Sequence, residues 1–194
     1  MLALRSPGKF HGALESSFAG PRQRNLWRLD KLGGDLCILL LSESVPDLSG
    51  FCDQFCQSHE AAQTKAYDGL LARTESGTKW RFRLTANPVK SQKKTGERGK
   101  VLAHITAAYQ KQWLLEHCVQ HGFRLAADSF DVTQSKWYQF YKGDNNRVSL
   151  LAVTYEGVLE VSDEDLFRQT LVSGIGRGKA YGMGLLTVMR LQEK

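Results

Sequence analysis

The C-terminal part of the chain holds a glycine-rich segment whose composition suits contact with phosphate. Five glycines lie within residues 174–184, and Arg177 and Lys179 stand between them. Glycine lets a backbone approach a ligand closely, and the two cations attract phosphate oxygens. The segment is neither a Walker P-loop, since Ala180 follows the lysine, nor a dinucleotide fingerprint, since a predicted strand follows it. A tight structural turn is the alternative interpretation.

A histidine near the N-terminus has the chemistry of a proton carrier. The ordinary pKa of an imidazole, about 6.5, lets His11 take or give a proton near neutral pH. Phe10, Leu14 and Phe18 recur at i, i+4 and i+8, which predicts a helix over residues 9–18. By spacing alone, His11 could equally be a surface residue of that helix.

Positive charge is concentrated in one part of the chain. The whole chain carries a formal charge of +6, and residues 73–100 hold nine Lys or Arg against two Glu. A local excess of this kind suits a polyanionic partner, although a solvated loop would show the same composition. The candidate contacts in and near this segment are Lys90, Lys93, Lys94, Arg98 and Lys100, with Arg22, Arg24 and Arg28 as additions to the same surface.

The N-terminal elements that would position these residues follow an α+β pattern. Residues 26–32 and 35–42 surround a Gly-Gly pair, which predicts a β-hairpin. A helix is predicted over residues 45–59. Trp80, Phe82 and Leu84 alternate with Arg81 and Arg83, which predicts a strand over residues 78–86 with one basic face, paired with residues 66–73.

The C-terminal elements repeat the same kind of order. Residues 87–103 are polar and basic and are predicted to be a loop or linker. A helix is predicted over residues 104–120, with an apolar stripe from Ile105 to Val119. Strands are predicted over 123–132, 136–141, 147–155 and 158–161. Asp163 is the predicted N-cap of a further helix, and a last strand covers residues 185–191.

These patterns predict two consecutive α+β halves, residues 1–90 and 91–194. A βαββαβ unit needs a strand before its first helix, and only residues 1–4 are available for it. The first strand of the N-terminal half is therefore expected to be truncated.

Composition narrows the class of protein. The chain has no run of about 18 apolar residues and no secretory signal, so we expect a cytoplasmic protein without a membrane span. His117 and His121 are spaced like metal ligands on a helix, with Cys118 between them. No second pair of ligands accompanies them, and no metal site is predicted.

Five blocks of sequence resemble the CasE family, the endoribonuclease subunit of the type I-E CRISPR Cascade complex. The longest is Gly-Ile-Gly-Arg-Gly-Lys-Ala-Tyr-Gly-Met-Gly-Leu-Leu at residues 174–186, which resembles the C-terminal signature of the family. The others are Phe-His-Gly-Ala-Leu-Glu at 10–15, Leu-Trp-Arg-Leu-Asp at 26–30, Arg-Phe-Arg-Leu-Thr-Ala-Asn-Pro-Val-Lys at 81–90 and Tyr-Glu-Gly-Val-Leu at 155–159. The blocks follow the family order and span nearly the whole chain.

The resemblance implies a fold and an activity. The fold would be two tandem ferredoxin-like, RRM-like halves. The activity would be cleavage of CRISPR repeat RNA just 3′ of its hairpin, without metal or other cofactor. The 2′-hydroxyl would attack the adjacent phosphate and leave a 2′,3′-cyclic phosphate. The product RNA would stay bound within Cascade, beside the other subunits.

The resemblance also implies roles for residues. His11 and Lys179 would be catalytic, and Gly176, Arg177 and Gly178 would contact RNA, as would the basic residues named above. Some relatives carry a tyrosine three residues before the histidine. Here that position is Gly8, and Lys9 or Tyr181 would have to fill its role. The alternative is a subunit that binds the RNA hairpin but cuts weakly or not at all.

Overall fold

The structure is a computed structural model that describes residues 7–21, 23–56, 62–94, 97–142 and 146–191. Residues 7, 93, 94, 97–99, 142 and 146 are described by their backbone alone. The predicted first strand and Arg22 lie outside the described residues. The helices are α1 (Pro7–Glu15), α2 (Ser49–Phe55), α3 (Asp68–Leu71), α4 (Ala107–Cys118) and α5 (Glu164–Ser173), with 3₁₀ turns at Val119–His121 and Lys179–Tyr181. None of the described helices is long and apolar enough to span a membrane.

Antiparallel strands form one large sheet and two separate hairpins. The strands are β1 (Leu26–Leu32), β2 (Asp35–Leu41), β3 (Lys79–Ala86), β4 (Val89–Lys94), β5 (Glu97–Ala103), β6 (Phe123–Arg124), β7 (Phe130–Lys142), β8 (Asn146–Val161) and β9 (Leu186–Arg190). In the large sheet, β3 lies between β8 and β9, and β6 and β7 both pair with the other edge of β8.

The large sheet is covered on one face by α4 and α5. Trp80, Phe82 and Leu84 of β3 point to that face and are buried, as the alternation predicts. They share one core with Trp113 of α4 and Phe167 of α5. The opposite face of the sheet, which carries Arg83 and its neighbours, is left for other contacts.

The neighbours of β3 bear on where the two halves divide. This strand precedes the predicted boundary at residue 90, yet its hydrogen-bonded partners are β8 and β9. The division of the chain stays a prediction, and the pairing argues for a boundary before Lys79.

Two local predictions are wrong. Residues 66–73 do not pair with β3 but contain α3, because adjacent Leu70 and Leu71 both pack against the main core, which the alternating faces of a strand do not permit. Residues 87–103 are not a loop but the hairpin of β4 and β5, in which Lys90 faces Leu102 and Gln92 faces Lys100. Their polar composition hides the strand pattern, since few of these side chains are buried.

The predicted break in β8 is also absent. The strand continues through Gly157. Only glycine fits at this position, because a Cβ atom there would lie 2.3 Å from the Ser129 carbonyl oxygen and 2.4 Å from Phe130 Cα. The absence of a side chain at Gly157 therefore lets residues 129–130 approach it closely, and this glycine does not mark a turn. β7 pairs with residues 146–157 of β8, from Phe130 opposite Gly157 to Lys142 opposite Asn146, with a register shift between Val132 and Gln134.

The predicted apolar stripe of α4 is wrong as well. Ile105 is 71% exposed and Val119 is 67% exposed. The buried face of the helix instead presents Trp113, Leu114 and Cys118. Ile105 and Val119 lie outside the helix, which covers Ala107–Cys118, and Leu115 of the predicted stripe packs at the edge of the core.

The N-terminal elements form a smaller second core. The hairpin of β1 and β2 turns at Gly33 and Gly34, both with positive φ, as predicted. Phe10 of α1 lies 4.9 Å from the ring of Trp27 and 5.0 Å from that of Phe51, measured between centroids. These rings fix α1, and with it His11, against the hairpin and α2.

Candidate functional site

The glycine-rich loop, residues 174–184, is closed at its base. α5 ends at Gly174, whose N–H donates to the Thr170 carbonyl (2.8 Å). Ile175 N–H donates to the Gly184 carbonyl (2.9 Å), and Gly184 N–H donates to the Thr85 carbonyl of β3 (2.7 Å). The base of the loop is therefore tied to the large sheet.

The far part of the loop rests on the N-terminal hairpin. Gly182 adopts a left-handed conformation, and a Cβ atom there would lie 2.7 Å from the Trp27 ring. The 3₁₀ turn that precedes it, with Lys179, packs against α1, the helix of His11. The fold thus brings together the two elements that carry the predicted catalytic residues, from opposite ends of the chain. No pattern in the sequence indicated that Trp27 would support the loop.

Arg177 links the loop to the base of the basic hairpin, our name for β4 and β5. It forms an isolated antiparallel bridge with Asn87, which lies two residues before β4. The Arg177 side chain is exposed, and so are Gly176 and the Lys90 side chain beyond Asn87. The bridge therefore places the exposed cations of the loop and of the basic hairpin on neighbouring segments of backbone. Asn87 is a site neighbour that charge counting could not have found.

The surroundings of Lys179 are cationic. Partial burial lowers the pKa of its ammonium group from the ordinary value, and the nearby Arg24 guanidinium lowers it further. Burial likewise lowers the pKa of His121, with added repulsion from His117 and Lys179. Like charges gathered in this way are stabilised when an anion binds between them. This arrangement suits a phosphate group, and it places Arg24 near the loop.

His11 lies beside a carboxylate on its own helix. Its Nδ1 atom is 3.9 Å from Glu15 Oε1, and both side chains are 17% exposed. Asn25 Nδ2 donates to the same Glu15 oxygen (3.4 Å). A carboxylate next to an imidazole orients the ring and stabilises its protonated form. Glu15 was not among the predicted site residues, although its i, i+4 spacing from His11 is a signal that could have identified it.

Of the predicted RNA contacts on the basic hairpin, the structure describes the side chains of only two. Lys90 on β4 and Lys100 on β5 have exposed side chains. Lys93, Lys94 and Arg98 belong to the same two strands, but only their backbone is described. Their grouping on one hairpin follows from the pairing.

Arg28 is placed differently from the other predicted contacts. Its side chain is 3% exposed and bonds Asp30 through Nε and Nη2, at 2.7 Å for the shortest contact. Nη1 donates to the carbonyls of Arg83 (3.0 Å) and Leu185 (2.9 Å). A guanidinium engaged in this way holds β1 to the large sheet, and its burial argues against contact with RNA.

The two candidates for the role of the absent tyrosine also differ. Lys9 is exposed on α1, near His11 in sequence. Tyr181 follows Lys179, and its ring lies 4.8 Å from that of Phe140 on β7. Tyr181 thus points toward the large sheet.

The structure uses His117 and His121 for internal contacts. His117 Nδ1 lies 2.7 Å from the Trp113 carbonyl oxygen, and the His117 ring stacks on the Trp113 indole. His121 Nδ1 lies 3.0 Å from Thr170 Oγ1. Among the described residues, no three His, Cys, Asp or Glu side chains form a group that could hold a metal ion.

Comparisons with known proteins agree with this arrangement. A sequence model of the family described as CRISPR associated protein matches residues 2–190. The CRISPR-associated endoribonuclease Cse3 of Thermus thermophilus is 31% identical over 95% of this chain and 90% of its own length. The Cascade subunit CasE of Escherichia coli is 33% identical over 57% of each chain.

A solved structure extends the likeness to the fold. The CRISPR endoribonuclease Cse3 bound to a 19-nucleotide RNA superposes with a TM-score of 0.77, at 29% identity, over 97% of this chain and 91% of that one. This likeness confirms the predicted α+β class with tandem ferredoxin-like halves. With nearly its whole length matched, this chain belongs to the CasE family of CRISPR-associated proteins.

Proposed function

We propose that this protein is an endoribonuclease that cuts CRISPR repeat RNA just 3′ of its hairpin and keeps the product within Cascade. The observation that carries the proposal is the packing of α1, with His11, against the turn of Lys179. Supporting it, the relatives named above are a CRISPR endoribonuclease and a Cascade subunit. A cytoplasmic location stays a prediction.

The proposed reaction needs no metal. His11 takes the proton of the 2′-hydroxyl, whose oxygen attacks the adjacent phosphorus atom. The bond to the 5′-oxygen breaks, and that oxygen takes a proton from solvent water, while the protonated His11 later returns its proton to the solvent. The products are a 2′,3′-cyclic phosphate and a 5′-hydroxyl. Lys179 and Arg177 stabilise the negative charge that develops on the phosphorane oxygens.

The RNA hairpin is held by the exposed cations. Bases of an A-form stem lie in a deep groove that side chains cannot enter, so a stem is recognised largely through its phosphates and shape. Lys90 and Lys100 of the basic hairpin, with Arg24 and Arg177, supply cations for such contacts. Other Cascade subunits are the expected protein partners, as for the relative from Escherichia coli.

The test is cleavage of the cognate repeat hairpin in EDTA. Wild type should cut, and the 3′ end of the upstream product should resist ligation until its cyclic phosphate is opened and the resulting phosphate is removed. His11→Ala should lose about 10²- to 10⁴-fold in rate, the range of general acid–base catalysis, and keep its affinity for RNA. Equal cutting by both proteins would remove His11 from the mechanism, and dependence on added metal would refute the reaction scheme.

A subunit that binds without cutting is the second candidate. Gly8 favours it, because it stands where some relatives carry a tyrosine. Tight hairpin binding with no cleavage by wild type would support this candidate. It would leave the RNA contacts of the proposal intact.

A further inference from the structure

A cleft of about 580 Å³ lies beside the proposed catalytic site. It separates the hairpin of β1 and β2 from the helix-free face of the large sheet. His11, Arg177 and Lys179 are absent from its lining, so it is distinct from the site described above. Its volume is in the range of ligand-binding pockets, about 300–1,000 Å³.

Cations dominate the charge of the cleft. The buried pair of Arg28 and Asp30 is neutral as a unit and belongs to the wall. The remaining ionisable lining groups are Lys31, Arg83 and Lys136, against one carboxylate, Glu156. Arg83 is 41% exposed although it contacts both Asp30 and Glu156. The excess of positive charge favours an anionic occupant.

Aromatic rings and hydroxyls accompany these cations. Lys136 Nζ lies 5.4 Å from the centroid of the Tyr138 ring on the same face of β7. The rings of Phe140 and Tyr181 meet at the end of the cleft. Thr85 lines the floor, where its hydroxyl contacts that of Thr154. Cations alternating with aromatic faces are what a single strand of nucleic acid uses, through phosphate contacts and base stacking.

One residue in the lining of the cleft has a buried hydrogen-bond donor with no partner among the described residues. Trp27 is 3% exposed, and its Nε1–H has no hydrogen-bond partner among the described residues. A buried donor left unpaired is costly, and native structures usually provide a partner. Trp27 lines the cleft, so a polar occupant of the cleft is a candidate for that partner.

We infer that the cleft binds a single-stranded RNA segment that flanks the hairpin. The path is short, because Tyr181 and Gly182 belong to the glycine-rich loop and also line the cleft. A strand that leaves the loop can therefore enter the cleft directly. This inference rests on the proposed function, since it assumes that RNA is held at the loop.

The experiment compares three fluorescently labelled RNAs: the repeat hairpin alone, the hairpin with a 5′ single-stranded extension, and the hairpin with a 3′ extension. A 2′-deoxy nucleotide at the scissile position prevents cutting during the binding assay. One extension should tighten binding by wild type about tenfold, as expected from stacking a base or more on aromatic rings. Which extension does so identifies the flank.

The variant Lys136→Ala/Tyr138→Ala should remove this gain and leave the affinity for the hairpin alone unchanged. Its matched control is Arg147→Ala/Tyr141→Ala. Those two residues pair across β7 and β8, both are exposed, and the alternation of β7 places them on the opposite face from Lys136. The control should keep the full gain. The unchanged hairpin affinity shows that the cleft variant is folded.

The outcomes are separable. Wild type that neither binds nor cuts the hairpin refutes the proposed function itself. Wild type that cuts the hairpin but gains nothing from either extension refutes the cleft inference alone, and so does a gain retained by the cleft variant. If the cleft variant keeps the RNA gain but no longer copurifies with other Cascade subunits, the cleft is a protein interface and the inference is wrong.

Discussion

At the scale of single residues, His11 depends on what surrounds its ring. His11 Nδ1 is buried and lies 3.9 Å from Glu15 Oε1, which in turn accepts from Asn25, so we expect Nε2 to be the nitrogen that exchanges protons with RNA. This is a positioning arrangement, because Glu15 acts through the histidine. The sequence identifies the histidine but not the orientation of its ring. That orientation depends in part on Asn25, a residue outside the helix that bonds Glu15.

Glu15→Gln should lower the cleavage rate, though by less than His11→Ala. The amide keeps the shape of the side chain but loses the charge that stabilises the protonated imidazole. Single-turnover cleavage across pH 5.5–8.5 is the measurement, and the rate profile should shift toward lower pH, because the neutral imidazole that acts as base then forms at lower pH. Glu43→Gln, which removes an exposed carboxylate elsewhere, is the control and should match wild type. A Glu15→Gln profile identical to wild type would contradict the positioning role.

His121 should make the protein less stable in acid. Its pKa is lowered by burial and by the positive charges of His117 and Lys179, so the folded state binds a proton less readily than the unfolded state. Its contribution to stability is present above the unfolded pKa, about 6.5, and is lost as pH falls through the lowered folded pKa. We expect Tm to fall from pH 8 to pH 5, and to fall less in His121→Asn, whose amide can still bond Thr170. Equal falls in both proteins would contradict this account.

At the scale of elements, close packing of Gly182 against the Trp27 ring holds the glycine-rich loop in place. Gly176 and Gly182 both have positive φ, but only Gly182 touches a ring at close range: a Cβ atom would lie 2.7 Å from Trp27, against 3.4 Å from Trp113 for Gly176. This difference permits a matched test of the contact.

Gly176→Ala should cost about 1–2 kcal/mol, the strain of a left-handed alanine. Gly182→Ala should cost about 1–3 kcal/mol more, because the added methyl group displaces the loop from Trp27. Chemical denaturation measures both values. Equal losses would mean that the loop does not rest on Trp27 in solution.

Prediction from sequence succeeded where a local rule decides the structure. The Gly33–Gly34 hairpin formed, and the Asp163 side chain caps α5 by accepting from the N–H groups of Asp165 and Leu166. It failed where distant contacts decide. The basic hairpin forms two strands despite its polar residues. At position 157 a glycine lies within a continuous strand, because Ser129 of the neighbouring segment passes too close to allow a side chain. Charge alone could not separate buried Arg28 from exposed Arg24.

At the scale of the whole molecule, the excess of charge lies in one segment. Residues 73–100 hold nine cations and two carboxylates, and most of the cations beyond residue 87 belong to the basic hairpin. Long-range attraction for RNA should therefore come mainly from this hairpin and from the loop beside it.

Lys93→Ala/Lys94→Ala should weaken hairpin binding and reduce the slope of log K against log salt by about one to two, since each phosphate contact contributes about 0.7–0.9. Fluorescence anisotropy between 50 and 300 mM KCl is the measurement. Lys65→Ala/Lys79→Ala removes two exposed cations outside the proposed interface and should leave the slope nearly unchanged. The same slope for wild type and Lys93→Ala/Lys94→Ala would rule out phosphate contacts by these lysines.

The contact between Gly182 and Trp27 has a consequence for synthesis of the chain. Residue 11 emerges from the ribosome before the turn that packs against its helix, because the large sheet lies between them in sequence. A nascent chain can thus fold much of its N-terminal hairpin while it still lacks a complete site. We expect cutting to begin only after residues 174–184 have emerged, so a chain that stalls before them should not cut RNA.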